Sequence, residues 1–315
     1  MLYAILAFLV GGLTAIQSRL NGQLSTDIHN GIAAALISFG TGWIFLIAIC
    51  GFYRPDRNGL ATIWKSLRSR KLRPWEIIGG MGGGFFVAMQ SSLVPTLGVA
   101  IFTICVVGGQ TAASIVVDYI GLSPSGKHRV TAIRLSTAIL TLISVSIAVY
   151  PDLRNSTFKF APILFTIVVG GVVAFQQALN GRMNVVSGRP LSTTFVNFLM
   201  GTIVLTVALA INLLRGGSIG ALPHNPWIYL GGPAGLIYIA VSAITVKHLG
   251  ILNFILFGVT GQLTGALLID WLAPAAHTHI TSYLITGTAM TLVAVVSSRF
   301  LTTFQTKSRT GVTSN

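Results

Sequence analysis

Acidic side chains are nearly missing from this sequence: six Asp and Glu stand among 315 residues, and charged residues of both signs make up 8%. Soluble domains carry about a quarter charged residues, so this composition cannot clothe a water-facing surface. Cysteine is as scarce. Cys50 and Cys105 both fall in apolar runs, which excludes a disulfide framework and leaves them as apolar fillers. The six histidines lie in or beside expected loops, so no general base stands at depth. HExxH, GxSxG, paired aspartates and a serine set against a buried histidine are all absent, which argues against an intramembrane enzyme. His277 and His279 lack a neighbouring Cys, Asp or Glu and make a poor metal site; no metal or other cofactor is expected.

What the chain has is apolar length. Hydrophobic residues make up 53% and mean hydropathy is +0.80. A bilayer core about 30 Å thick needs roughly 20 apolar residues per helix. Ten windows qualify, near 2–24, 31–52, 75–95, 97–121, 130–150, 161–183, 191–214, 227–246, 249–272 and 280–301. The fold class expected is an all-α membrane protein. Leu2 opens the first window with neither a charged leader nor a small-residue cleavage site after it, so that window is expected to stay as a helix.

The net charge of +14 would point to nucleic acid in a soluble protein; here its distribution reads as topology, and no nucleic-acid partner is expected. Ten cations (Arg54, Arg57, Lys65, Arg68, Arg70, Lys71, Arg73, Lys127, Arg129 and Arg134) fall in two connections on one side. Arg182, Arg189, Lys247, Arg299, Lys307 and Arg309 bring that side to 16, against four near the other face (Arg19, Arg154, Lys159 and Arg215). The positive-inside rule places both termini in the cytoplasm of a plasma (inner) membrane protein.

The chain also repeats itself. VGGLTAIQSRLNG at Val10 to Gly22 returns as VGGVVAFQQALNG at Val169 to Gly181, an offset of 159. WEIIGG at Trp75 matches WIYLGG at Trp227, and GQTAASIVVDY at Gly109 matches GQLTGALLIDW at Gly261, both at an offset of 152. Residues 1–152 are expected to form one five-helix repeat, and 153–315 a second with a short basic tail. An odd number of crossings per repeat inverts the second copy, so ten transmembrane helices in a five-plus-five inverted repeat are expected.

Polar side chains at depth are costly, which makes those that recur in both repeats the candidate site. Gln110 and Gln262 each sit halfway along a span after a glycine. They are expected near the pseudo-two-fold axis as substrate-binding amides, with helix-to-helix hydrogen bonding as the bland alternative. Gln17 and Asn21, four apart on one helix face, recur as Gln176 and Asn180 and could line the same cavity; the asparagines could instead cap helix ends beside Gly22 and Gly181. Gln90 and Asn253 read better as helix-to-helix ties. Asp118 and Asp270 each follow their glutamine by eight residues; they could couple a proton, but their nearness to the interface favours a structural role. The run GGMGGG at Gly79 to Gly84 reads as close helix packing rather than phosphate binding. A transporter that exports a small metabolite or amphipathic compound by alternating access around a polar cavity fits these features best. A lipid-scrambling or assembly protein is the rival class. Partners expected are a small substrate and the bilayer, with a homodimer left open.

The GG-(x4)-Q-(x3)-NG openings, the tryptophan-to-double-glycine starts of the third and eighth spans, and the GQ-(x7)-D elements together resemble the YdcZ-type (EamA-like) branch of the drug/metabolite transporter superfamily. The resemblance covers almost the whole chain, once per half, and implies ten inner-membrane helices in an inverted repeat with helices one to four and six to nine around the cavity. In the small multidrug relatives a glutamate of the first helix couples protons; this chain has Gln17 in that helix. Amides without a fixed opposite charge point to a neutral, zwitterionic or weakly polar substrate.

Overall fold

The computed structural model describes residues 1–124, 126–127, 129–155, 160–274 and 280–311. All regular structure among them is helical. The helices are α1 (Leu2–Asp27), α2 (Gly31–Phe52), α3 (Arg54–Arg68), α4 (Gly79–Leu97), α5 (Val99–Ile120), α6 (Ala132–Asn155), α7 (Phe160–Ser187), α8 (Pro190–Leu214), α9 (Gly231–Leu272) and α10 (Ser282–Gly311). Eight stretches of the described residues are long and apolar enough to cross a membrane, which makes this a multi-pass helical membrane protein.

Local chemistry sets the breaks. Asn30 ends the turn after α1 and its side chain accepts the N–H of Ala33, satisfying one free donor of α2. Gly98, at φ +83°, separates α4 from α5; an L side chain rarely adopts that backbone, so glycine is required at the corner.

The structure departs from the sequence reading in two places. Residues 54–68, part of an expected basic connection, form the amphipathic helix α3, whose buried residues Asp56, Gly59, Ile63 and Ser66 mark one face. The expected eighth and ninth spans form one helical stretch of 42 residues, α9. A straight helix of that length would be about 60 Å, twice the hydrocarbon thickness. α9 is not straight. Gly231 lies against Asn21, Gly235 against Gln17, and the His248 ring stacks on Tyr3 at 4.0 Å; Gly258 then meets Gly11, and Gly265 meets Gly12 and Ala15. The stretch runs along α1 in one direction and returns along it in the other.

The tightest packing recurs at the sequence offsets. A Cβ built on Gly11 would stand 2.0 Å from the carbonyl oxygen of Gly258, and one on Gly170 2.2 Å from that of Val106. A Cβ on Gly261 would stand 1.9 Å from the Phe8 oxygen, and one on Gly109 1.9 Å from that of Ile167. Residues 11 and 170, like 8 and 167, differ by 159; residues 106 and 258, like 109 and 261, differ by 152. The α1–α9 and α7–α5 crossings are thus built alike, backbone on backbone, as close approach in lipid demands. Phe39 on α2 and Phe198 on α8, also 159 apart, stack at 4.8 Å. Between the crossings α5 is the innermost element, buried at every residue from Val99 to Gly109, while α6 and α10 pack mainly on each other.

Candidate functional site

The polar side chains at depth fall into separate clusters. On α7, Gln176 Nε2 and Asn180 Nδ2 both donate to Oδ1 of Asn197 on α8, at 3.0 and 2.9 Å. Gln176 also covers α4, where its Nε2 would lie 2.5 Å from a Cβ on Gly83. On α1, Asn21 Nδ2 donates to Gln90 Oε1 at 2.9 Å, and Gln90 Nε2 donates to Ser18 Oγ at 2.7 Å. Asn21 has no exposed surface and Gln90 is 2% exposed, so this trio is a sealed tie between α1 and α4. Gln17, half-buried, lies beside Gly235 and makes no side-chain hydrogen bond among the described residues.

The two mid-span glutamines differ. Gln110 Nε2 donates to Gln177 Oε1 across the α5–α7 crossing at 2.8 Å. Gln262, half-buried at the α1–α9 crossing, makes no side-chain hydrogen bond among the described residues. No hydrogen bond there joins Gln110 to Gln262. Gln262 lacks the partner that Gln110 has because Gln177 is matched in the first repeat by Ser18, which is taken up by Gln90.

The two aspartates also differ. Asp270, 6% exposed, accepts the backbone N–H of Val99 at 2.9 Å and of Ala100 at 2.7 Å. It caps the start of α5 from α9, satisfying two donors that the break at Gly98 leaves free. Asp118 near the end of α5 is paired with Arg134 on α6. At the same basic end, Arg182 donates to Glu76 at 2.7 Å and to the carbonyl of Gly121 at 2.9 Å, joining the starts and ends of α4, α5 and α7.

Sequence reasoning missed Asn197 and Gln177, whose matching residues are Ser38 and Ser18, because it sought amides present in both repeats. The adjacent pair Gln176 and Gln177 on an apolar helix was the available signal. His277 and His279 lie outside the described residues. Oδ1 of Asn21 and of Asn180 are both buried without a hydrogen-bond partner among the described residues, and each faces the first glycine of a helix, Gly231 and Gly79.

A family model described as "Putative inner membrane exporter, YdcZ" matches residues 2–147 and 161–297. This chain belongs to that family. The YdcZ family is a transporter family of the inner membrane within the drug/metabolite transporter superfamily, and its description names no cargo. No curated protein matches the chain.

Proposed function

We propose that this YdcZ-family protein exports a small neutral or zwitterionic compound by alternating access, through ten membrane crossings arranged as two inverted five-helix repeats with both termini cytoplasmic. The observation that carries the reading is the shared construction of the α1–α9 and α7–α5 crossings, each with a half-buried glutamine (Gln262 and Gln110) at its closest point. α9 supplies two of the ten crossings, one in each direction along α1. Gln17, Gln176, Gln110 and Gln262 offer donors and acceptors to a substrate that sheds water, and no fixed charge stands among them. Asn180 shares Asn197 Oδ1 with Gln176 and helps to set that amide, while Asn21 and Gln90 tie α1 to α4.

Opening the path at the end opposite the basic loops requires α5 and α9 to part there, and Asp270 holds them together. Among the described residues, Asp118 at the basic end is paired with Arg134 on α6 and not with α9. This difference supports a state closed at the outer end. It also supports structural roles for both carboxylates, with any coupling ion acting elsewhere.

The test is efflux. Metabolites inside and outside cells are compared between a deletion strain and an overexpressing strain, and any compound whose distribution follows the protein is loaded into proteoliposomes. Export dependent on the protein supports the reading. Unchanged metabolite distributions would overturn it, and movement of fluorescent phospholipid between leaflets instead would replace it with the lipid-scrambling class.

A further inference from the structure

Helix α3 carries a surface that the transport reading leaves unused. Its face of Asp56, Gly59, Ile63 and Ser66 is buried, with Gly59 against Ser192 on α8 and Ile63 in a cluster with Leu72 and Met183. The other face is cationic: Arg54, Arg57, Lys65 and Arg68 are exposed, followed by exposed Arg70, Lys71 and Arg73. Among the described residues none of these seven is in an ion pair. The nearby acids are spoken for, with Asp56 buried and Glu76 paired to Arg182. Aromatic rings border this charge. Trp64 is 59% exposed with the Arg68 guanidinium 5.4 Å from its ring centre, and Phe52 and Tyr53, where α2 leaves the apolar layer, are 91% and 54% exposed.

We propose that α3 is a docking surface for anionic phospholipid headgroups. Unpaired cations beside exposed aromatics at the end of a membrane-spanning helix fit the phosphate layer of a bilayer, where rings sit at headgroup depth and guanidinium groups take phosphate oxygens. A nucleic acid would use the cations but leave Phe52, Tyr53 and Trp64 idle. Only Tyr53 separates α2 from α3, which keeps the cationic face beside the bilayer from which α2 emerges. The inference holds whether or not the protein transports a solute.

The full chain, purified in detergent, is titrated with phosphatidylglycerol and separately with phosphatidylcholine, and retained lipid is counted by native mass spectrometry. Wild type should prefer phosphatidylglycerol, and the triple variant Arg57→Gln, Lys65→Gln, Arg68→Gln should lose at least tenfold in phosphatidylglycerol affinity, since each such charge near a membrane is worth roughly fivefold. Thermal stability without added lipid should stay at the wild-type value, because these side chains are exposed. A matched Arg215→Gln variant should bind lipid as wild type does. Equal phosphatidylglycerol binding by wild type and triple variant would overturn the proposal, as would equal retention of phosphatidylglycerol and phosphatidylcholine by wild type. Should the triple variant fail to fold, the single variant Arg57→Gln carries the same comparison with an expected loss of about fivefold.

Discussion

The carboxylate of Asp270 accepts the backbone N–H groups of Val99 and Ala100, holding the start of α5 from a position 171 residues along the chain. One side chain thereby closes a corner that Gly98 opens and fastens two long elements at one end. Replacing Asp270 with Ala should leave two buried donors unpaired, at about 1 to 3 kcal/mol each. Thermal stability in detergent should fall clearly, and Asp270→Asn, which keeps one acceptor oxygen, should fall less. In the proposed cycle the same variants should favour the outward-open state, read as faster labelling of an introduced cysteine near the α5–α9 corner. Unchanged stability in Asp270→Ala would mean that the cap does not form in the membrane.

Gly109 and Gly261 make a paired test of the shared crossings. A methyl at either would meet a backbone oxygen at 1.9 Å, so the helices must separate. Overpacking of this kind costs about 1 to 3 kcal/mol, and more where backbone cannot yield. Gly109→Ala and Gly261→Ala should lower thermal stability by similar amounts. Gly51→Ala, with nothing within 4 Å of the added methyl, should not lower it. A large loss in one of the pair and none in the other would show that the two crossings are not built alike.

Asp56 gives a pH dependence. Burial pushes its carboxyl above the ordinary range, and the nearby Arg189 pulls the other way with the smaller effect. A raised folded-state pKa means that the folded protein prefers the protonated acid. The stability contributed is present below the ordinary carboxylate range and lost as pH rises through the raised value. The stability of Asp56→Asn relative to wild type should therefore grow as pH rises above the ordinary carboxylate range and level off once the raised value is passed. Its place in the first turn of α3 opposes this by about 0.3 to 1 kcal/mol through the helix dipole. If thermal melts show the variant losing ground as pH rises, Arg189 and the dipole outweigh burial.

Much of this architecture is legible because membrane insertion writes it in long apolar runs and in glycines at fixed offsets: Gly11, Gly109, Gly170 and Gly261 are visible as repeated residues before their contacts are known. α3 is not legible in the same way. Its 15 residues are too short and too charged for a span, and the run of cations hides the four-residue buried face. The doubled path of α9 is half legible: hydropathy marks two windows there, 227–246 and 249–272, but no local pattern reports their joining in one helical stretch or their contacts with α1. Asp270 looked like a carboxylate at an interface because its partners are backbone groups far away in the chain. The amide network was half visible. Comparing repeats finds Gln176 and Asn180 but not Asn197, whose counterpart is Ser38.

Gln110 and Gln262 are not equivalent probes of a substrate site, although they occupy matching positions. Gln110→Leu would also remove the hydrogen bond to the exposed Gln177, so a loss of activity there would not separate a substrate contact from a tie across the α5–α7 crossing. Gln262 has no side-chain partner to strand among the described residues. A purely structural role for Gln262 predicts that Gln262→Leu transports as wild type does and is no less stable. A substrate role predicts the opposite pairing of results: a lost hydrogen bond and an unpaired substrate group together cost about 1 to 3 kcal/mol, or roughly tenfold in transport, while the thermal midpoint is unchanged. Efflux from proteoliposomes and a melt of the same preparation decide between them. Normal efflux in Gln262→Leu would remove this residue from the site, and with it the case that the two crossings present their glutamines to the same substrate.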